Sequence, residues 1–301
     1  MAGLLESDWT KIGEGRMASF HVAPLRGTSF GAHVTGLSLA RLSEDEWKAL
    51  HAAWLEYALL IFPAQHLDRE AQVAFARRFG DLEFDIAPIS NLKPDGSVRA
   101  EAEDDDVLKV LKGNMGWHAD STYMPVQAKG AVFSAEIVPP EGGETEWADM
   151  RAAYDALDPA LRERVAGLSA YHSLRRSQAR VGHVHRPDSA YSGYGFREGP
   201  DPLRPLVKVH PETGRRSLVI GRHAYAVPGL TPGEAEALLD ELLDFACRPP
   251  RVHVHSWRPG DVVIWDNRCL LHRARPWDMK VPRQMWHSRI AGAPESEGAP
   301  A

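Results

Sequence analysis

Cysteine is scarce: the 301-residue chain holds two, Cys247 near the end of a helical pattern and Cys269 in an apolar segment. That argues against a disulfide framework or a cysteine-built zinc cluster, and both read as reduced core thiols. Long apolar runs are missing too, since no stretch approaches the roughly 18 to 20 residues needed to cross a bilayer. Met1 to Lys11 carries Glu6 and Asp8 and has no long apolar core, unlike a secretory signal. Positive charge is neither in excess nor clustered, and a net charge of -6 argues against nucleic acid as a partner. Glycine loops of the phosphate-cradling kind are also absent. The expectation is a cytoplasmic protein without membrane or nucleic-acid partners, forming one domain over 1–301 with an ordered core from about residue 20 to 292.

What is present is a patterned chain, 44% hydrophobic and 25% charged. Ser43-Glu44-Asp45-Glu46 is a capping box, and Trp47, Leu50, Ala53, Trp54 and Tyr57 follow at helical spacing. Ala58 to Phe62 reads as a buried strand, and Arg69 to Phe79 as a second amphipathic helix. Short helices are predicted over Arg151 to Leu157 and Pro159 to Leu168, the latter opened by Asp158-Pro159. Thr231-Pro232-Gly233-Glu234 opens the best-defined helix, which should run to about Cys247 before Pro249-Pro250. Runs rich in Val, Ile, Leu and aromatics read as strands: Gly130 to Val138, Leu206 to His210, Leu218 to Ile220, Arg251 to His255, Val262 to Trp265 and Arg283 to Ile290. Many short strands with long helical insertions point to a mixed α/β, mainly β fold: a double-stranded β-helix, or jelly roll, core with helical insertions. Ile86 to Asp106, with the acidic run Glu101 to Asp106, and Ser173 to Pro205, with Pro187, Tyr191, Gly193 and Tyr194, read as long covering loops.

Histidine and carboxylate occur two residues apart in Trp117-His118-Ala119-Asp120, and His272 follows 152 positions after Asp120. On an extended segment such a pair projects to one face. With His272 it makes a two-histidine, one-carboxylate set that leaves half of an octahedral iron(II) open to a co-substrate and dioxygen. A bare pair carries little weight, because composition alone gives about two His-x-acid pairs in such a chain. His66-Leu67-Asp68 lies in a polar stretch, and His210-Pro211-Glu212-Thr213-Gly214 reads as a hairpin turn; both are taken as structural. His183-Val184-His185 and His253-Val254-His255 are expected to lack carboxylate partners.

The company of His272 singles out the first pair. Arg283 lies eleven residues on, at the start of a buried strand, and Gly142-Gly143-Glu144-Thr145 follows an apolar stretch. A guanidinium grips a carboxylate bidentately and a threonine hydroxyl adds one hydrogen bond. Together they suit the far carboxylate of a dicarboxylic keto acid whose other end chelates iron.

With these motifs, and with Gly260 to Arg268 leading to His272, the chain resembles the iron(II)- and 2-oxoglutarate-dependent dioxygenases of the taurine and 2,4-dichlorophenoxyacetate type, from about Phe20 to Gly292. It is most similar there to the aryloxyalkanoate dioxygenases that act on (S)-2-phenoxypropionates, with hydroxylases of N-substituted amino acids as relatives. The resemblance implies Fe(II) on His118, Asp120 and His272, 2-oxoglutarate on Thr145 and Arg283, Trp257 lining the co-substrate pocket, and O2 as second co-substrate. It also implies that Asn114 lies near a small organic-acid substrate.

One departure bears on that substrate. Taurine-type enzymes carry a second arginine fifteen residues after the distal histidine, where this chain has His287, with Arg289 two further on. Residues 287 and 289 share a strand face, so Arg289, His287 or Lys109 is the expected anchor for the substrate acid group. Asp120 argues against a halogenase, which needs that ligand position vacant. On this reading the substrate is hydroxylated, and a carbon bearing an aryloxy group then breaks down to a phenol and a 2-oxo acid. N-substituted amino acids, sulfonates or natural-product intermediates suit the same scaffold. A zinc hydrolase or non-oxygenase metal-binding jelly roll would use the same three ligands but leave Arg283 and Thr145 without a purpose. Folds of this kind often self-associate, with no patch in the sequence to mark the interface.

Overall fold

The computed structural model describes residues 20–100, 105–184 and 194–300. Met1 to Lys11, most of the acidic run Glu101 to Asp106, and His185, Pro187, Tyr191 and Gly193 lie outside the described residues.

In chain order the strands are β1 (His21–Pro24), β2 (Ala32–Thr35), β3 (Leu59–Phe62), β4 (Leu82–Ser90), β5 (Gly130–Ile137), β6 (Thr145–Asp149), β7 (Ser169–His172) and β8 (Leu203–Pro205). They continue with β9 (Val207–Val209), β10 (Arg216–Leu218), β11 (Ala224–Tyr225), β12 (Val252–His255), β13 (Val262–Asp266), β14 (Leu270–Ala274) and β15 (Gln284–Ile290). The helices are α1 (Glu44–Tyr57), α2 (Arg69–Arg77), α3 (Asp106–Gly113), α4 (Met150–Ala156), α5 (Pro159–Ala166), α6 (Leu174–Ala179), α7 (Pro232–Ala246) and α8 (Pro294–Glu297). The fold is thus mixed α/β and mainly sheet.

Seven strands form the larger sheet in the order β1-β2-β3-β13-β5-β15-β4, antiparallel except where β2 meets β3. Facing part of it is the three-stranded sheet β12-β6-β14, with β11-β7-β8 and the β9–β10 hairpin beyond. Phe133, Trp147, Trp257, Trp265, Leu270 and Met285 pack as one buried cluster between the two main sheets. Trp54, Phe62, Phe75 and Phe79 form another, which seals the outer face under α1 and α2. Burying each such side chain is worth about 1.5–3 kcal/mol, so the larger sheet is held from both faces.

Local chemistry sets most boundaries. Ser43 and Thr231 each complete a capping box, with Glu46 and Glu234, at the heads of α1 and α7. Asp68 caps α2, and Asp158 with Pro159 opens α5 as the start signals require.

Several expectations are corrected. The loop read from Ile86 is strand up to Ser90, because β4 is hydrogen-bonded along β15, and Asp105 then caps helix α3. The stretch from Ser173 to Pro205 contains helix α6 and strand β8. The strand expected at Leu218 to Ile220 sits earlier, at β10, where it pairs with β9 across the turn of His210 to Gly214. His255 and His183 do have carboxylate partners, Asp261 at 3.2 Å and Asp106 at 3.3 Å.

Candidate active site

The two halves of the donor set, 152 residues apart, are clamped through the backbone. His118 N donates to His272 O at 3.0 Å, and His272 N returns a bond to His118 O at 2.8 Å. His118 therefore enters from the loop after α3 as a single bridge beside β14, not as a full strand. The chain turns at once, with Ser121 at φ 56°. Asn267 fixes that turn, accepting from Asp120 N at 2.7 Å and donating to Asp120 O at 2.9 Å.

The ligand atoms of His118, Asp120 and His272 all lie within 4.8 Å of one another, and the three residues are buried. His118 Nδ1 is 2.8 Å from Gly116 O, which can only accept, so Nδ1 carries the hydrogen and Nε2 keeps its lone pair. Burial pushes the His118 imidazole down to about 4, and that of His272 well below its usual range, so both are neutral donors at pH 7. Burial opposes ionisation of Asp120, yet Arg289 and the surrounding imidazoles hold its carboxyl below the usual carboxylate range. Asp120 Oδ2 is buried without a hydrogen-bond partner among the described residues, 3.8 Å from His272 Nε2. Two neutral nitrogens and one anionic oxygen with an unused lone pair fit a divalent ion of the iron type.

A second donor group, His210, Asp266 and Cys269, is equally compact and serves as a contrast. Both Asp266 oxygens are taken: Oδ1 by Arg268 N and Nε, Oδ2 by Arg268 Nη2 and by His210 Nε2 at 2.9 Å. With His210 Nδ1 accepting from Glu212 N and Thr213 N, this cluster pins the β9–β10 hairpin to β13. Its acceptors are satisfied without an ion, as the reading of that turn as structural anticipates.

Around the first group lies a cavity of about 130 Å³, lined by Asn114, Thr145, Arg283, His287 and Arg289 among others. A larger cleft of about 670 Å³, bordered by His66, Arg69, Glu136 and Trp286, opens on the outer face of the sheet, and none of the three donors lines it. Arg283 is 2% exposed; its Nη2 donates to Gly143 O at 3.2 Å and its Nε has no hydrogen-bond partner among the described residues. Burial alone pushes this guanidinium down to about 10, and no carboxylate among the described residues pairs with it. A buried cation in that condition calls for an anion. The motif before Thr145 makes room for it. Gly142 and Gly143 have φ of 74° and 71°, and a Cβ on Gly143 would sit 3.2 Å from Arg283 Nε.

Trp257 does not line the cavity. Its Nε1 donates to Thr145 Oγ1 at 2.9 Å from behind, so it supports the pocket wall. Lys109 is also off the wall, on α3 and 3.8 Å from Asp106. His287 stacks on Trp265 at 5.8 Å and is pushed down to about 3 by burial, so it brings no charge to an acid. Arg289 is committed elsewhere: its Nη2 donates to Asp120 Oδ1 at 3.0 Å.

The sequence reading missed Arg222. It follows Gly221, donates through Nη2 to the Ser177 carbonyl at 2.6 Å, and reaches the cavity from the side of α6. Burial pushes it down to about 10, and no ion pair to it is found among the described residues. Its neighbour His223, with Tyr123, Leu174, Gln178 and Tyr194, completes that wall. No local motif marks these residues; only the fold gathers them.

Comparison with known proteins agrees with this geometry. The family model for taurine catabolism dioxygenase TauD, TfdA family, matches residues 21–290. The chain is 66% identical over 282 residues to the (S)-phenoxypropionate/alpha-ketoglutarate-dioxygenase of Sphingobium herbicidovorans, covering 93% of this chain and 98% of that protein. It is 37% identical to the alpha-ketoglutarate-dependent 2,4-dichlorophenoxyacetate dioxygenase of a Burkholderia species, covering 87% and 92%. Among solved structures, AAD-2 in complex with Mn(II) and N-oxalylglycine superposes with a TM-score of 0.85 at 36% identity, covering 94% of this chain and 99% of that one. The chain therefore belongs to the TauD, TfdA family of dioxygenases.

Proposed function

We propose that this Fe(II)- and 2-oxoglutarate-dependent dioxygenase acts on an aryloxyalkanoate, with (S)-2-phenoxypropionate as the representative substrate, releasing a phenol and a 2-oxo acid. The reading of the substrate rests on the relative at 66% identity together with one observation of this chain: Arg222 is a second cation on the cavity wall, half-buried and without an acid partner among the described residues, held to α6 and apart from Arg283. In the same reading, the seven-stranded sheet and β12-β6-β14 are the two walls of a double-stranded β-helix, with the donor set at its mouth.

His118 Nε2, His272 Nε2 and Asp120 Oδ2 would hold the ferrous ion. Arg283 and the Thr145 hydroxyl bind the far carboxylate of 2-oxoglutarate. Because Trp257 occupies a lone pair of Thr145 Oγ1, the threonine hydrogen is free to point at that carboxylate. Ferrous iron with bound 2-oxoglutarate supplies the dioxygen chemistry that replaces a substrate C–H by C–OH while the keto acid becomes succinate and carbon dioxide. Arg222 anchors the substrate carboxylate, and Phe133, Ile89, Val110 and Leu174 give the aryl ring an apolar seat. The anchor would fix which hydrogen of the substrate is presented for replacement. Once C2 carries a hydroxyl beside the aryloxy oxygen, that C–O bond breaks: the pair leaves with the phenolate, the hydroxyl loses its proton, and a 2-oxo acid forms.

Measuring phenol and succinate from (S)- and (R)-2-phenoxypropionate, beside N-substituted amino acids and sulfonates, tests this reading. Equal yields of phenol and succinate from the (S)-acid support it. Substrate-driven succinate formation with amino acids or sulfonates alone contradicts it.

A further inference from the structure

Arg289 stands where a substrate-binding cation was expected, yet the fold aims it at a metal ligand. On β15 the pairing with β4 slips twice, between His287 and Arg289 and again between Arg289 and Ile290. Such bulges re-aim side chains near active sites. The guanidinium, itself 8% exposed as a residue, is packed between the rings of Phe84 at 5.0 Å and Tyr194 at 5.2 Å. Its Nη2 donates to Asp120 Oδ1 at 3.0 Å, its Nη1 reaches Ser121 Oγ at 3.4 Å, and Glu83 Oε2 lies 4.0 Å away as a second negative charge. Glu83 in turn accepts from Ser121 Oγ at 2.8 Å and from the Tyr194 hydroxyl, so the guanidinium sits in a fixed frame.

The two oxygens of Asp120 thereby become unequal. Oδ1 is engaged by a charged donor, whereas Oδ2 is buried, has no hydrogen-bond partner among the described residues, and faces the imidazoles of His272 and His287 at 3.8 and 3.6 Å. We infer that Arg289 is a positioning residue that keeps Asp120 a one-oxygen ligand. The count of positions gives this its consequence. A six-coordinate ion held by three protein atoms has three places left, two for a chelating keto acid and one for dioxygen. A carboxylate free to swing and chelate through both oxygens takes one of them. Holding Oδ1 away from the ion therefore protects the dioxygen position. Substrate anchoring then has to come from another cation, and Arg222, which lines the same cavity and has no ion pair among the described residues, is available for it.

The inference rests on the metal centre proposed above, and the test separates the two. Apo wild-type protein, Arg289→Gln and Arg289→Lys are titrated anaerobically with Co(II), with and without 2-oxoglutarate, following the visible absorption of the ion. Circular dichroism checks that each is folded. Second-sphere partners of metal ligands typically contribute 10–100-fold in affinity. Arg289→Gln should therefore raise the Co(II) dissociation constant by about 10-fold or more and alter the visible spectrum, with Arg289→Lys recovering part of both. A folded Arg289→Gln with wild-type affinity and spectrum overturns the role. Wild-type protein that takes up no Co(II) overturns the metal centre itself, and this role with it. If Arg289→Gln does not fold, infrared difference spectra of the wild-type protein on Co(II) loading, with 13C-labelled aspartate, decide the matter. A wide separation of the antisymmetric and symmetric Asp120 stretches marks one-oxygen ligation and supports the role; the narrow separation of a chelating carboxylate overturns it.

Discussion

Trp257 Nε1 donates to Thr145 Oγ1 at 2.9 Å, so the pocket hydroxyl is oriented by a residue that never touches the cavity. The indole uses one lone pair of the oxygen and leaves the hydroxyl hydrogen for an anion. Thr145→Val, which keeps the shape and removes that donor, should raise the KM for 2-oxoglutarate by about 5- to 10-fold, the worth of one net hydrogen bond of about 1 kcal/mol. Trp257→Phe should shift the same constant in the same direction by less. Steady-state kinetics at saturating substrate check both. An unchanged KM in Thr145→Val removes the hydroxyl from the co-substrate site.

Arg283 carries the larger share. Its guanidinium is buried without an acid partner among the described residues, and a hydrogen bond to a charged group contributes about 1.5–3 kcal/mol. Arg283→Gln should raise the KM for 2-oxoglutarate by about 10- to 100-fold while leaving Fe(II) affinity close to wild type, since none of the three ligands contacts it. Comparable losses in both constants would place Arg283 in the metal site rather than beside it.

Arg222 should separate substrate from co-substrate. In Arg222→Gln the KM for the aryloxy acid is expected to rise by about 10- to 100-fold, by the same charge-assisted bond, with the KM for 2-oxoglutarate unchanged. Turnover of 2-oxoglutarate without substrate should persist, so the succinate formed per phenol rises. An unaltered substrate KM would move the anchor to another residue.

His172 gives the fold a pH dependence of defined sign. It lies on β7, is fully buried, has no hydrogen-bond partner at either ring nitrogen among the described residues, and burial with nearby Arg204 pushes it down to about 3 from an ordinary 6.5. Above 6.5 both folded and unfolded chains hold it neutral; below, the unfolded chain takes a proton that the folded one refuses. Stability therefore falls as pH drops through 6.5 toward 3, by about 1.4 kcal/mol per pH unit for this group. His172→Leu should flatten the decline, so the urea midpoint of the variant rises relative to that of wild type on going from pH 7.5 to pH 5. Parallel pH profiles contradict this origin.

The proposed metal donors were legible as a candidate set because their message is local. His118 and Asp120 are two apart, and His272 is flanked by Arg283 at a set distance. Helix ends were legible for the same reason: the capping boxes at Ser43 and Thr231 place α1 and α7 to within a residue or two. The second half of β4, from Ile86 to Ser90, was misread as loop because proline and polar residues interrupt it, and only its pairing with β15 makes it strand. Arg222, and the engagement of Arg289 by Asp120 across 169 positions, depend on loops and bulges that bring distant segments together. No spacing in the chain encodes them. Lys109 looked available because α3, which turns it toward Asp106, was not foreseen.

The most direct measurement is the yield of succinate and phenol from (S)-2-phenoxypropionate by the iron-loaded protein, its chelated form and His118→Ala. Wild-type protein should form the two products in equal amounts, and chelation or His118→Ala should abolish both, with readded Fe(II) restoring only the chelated wild type. Undiminished turnover in His118→Ala, or in protein stripped of iron, would contradict a ferrous centre at these side chains.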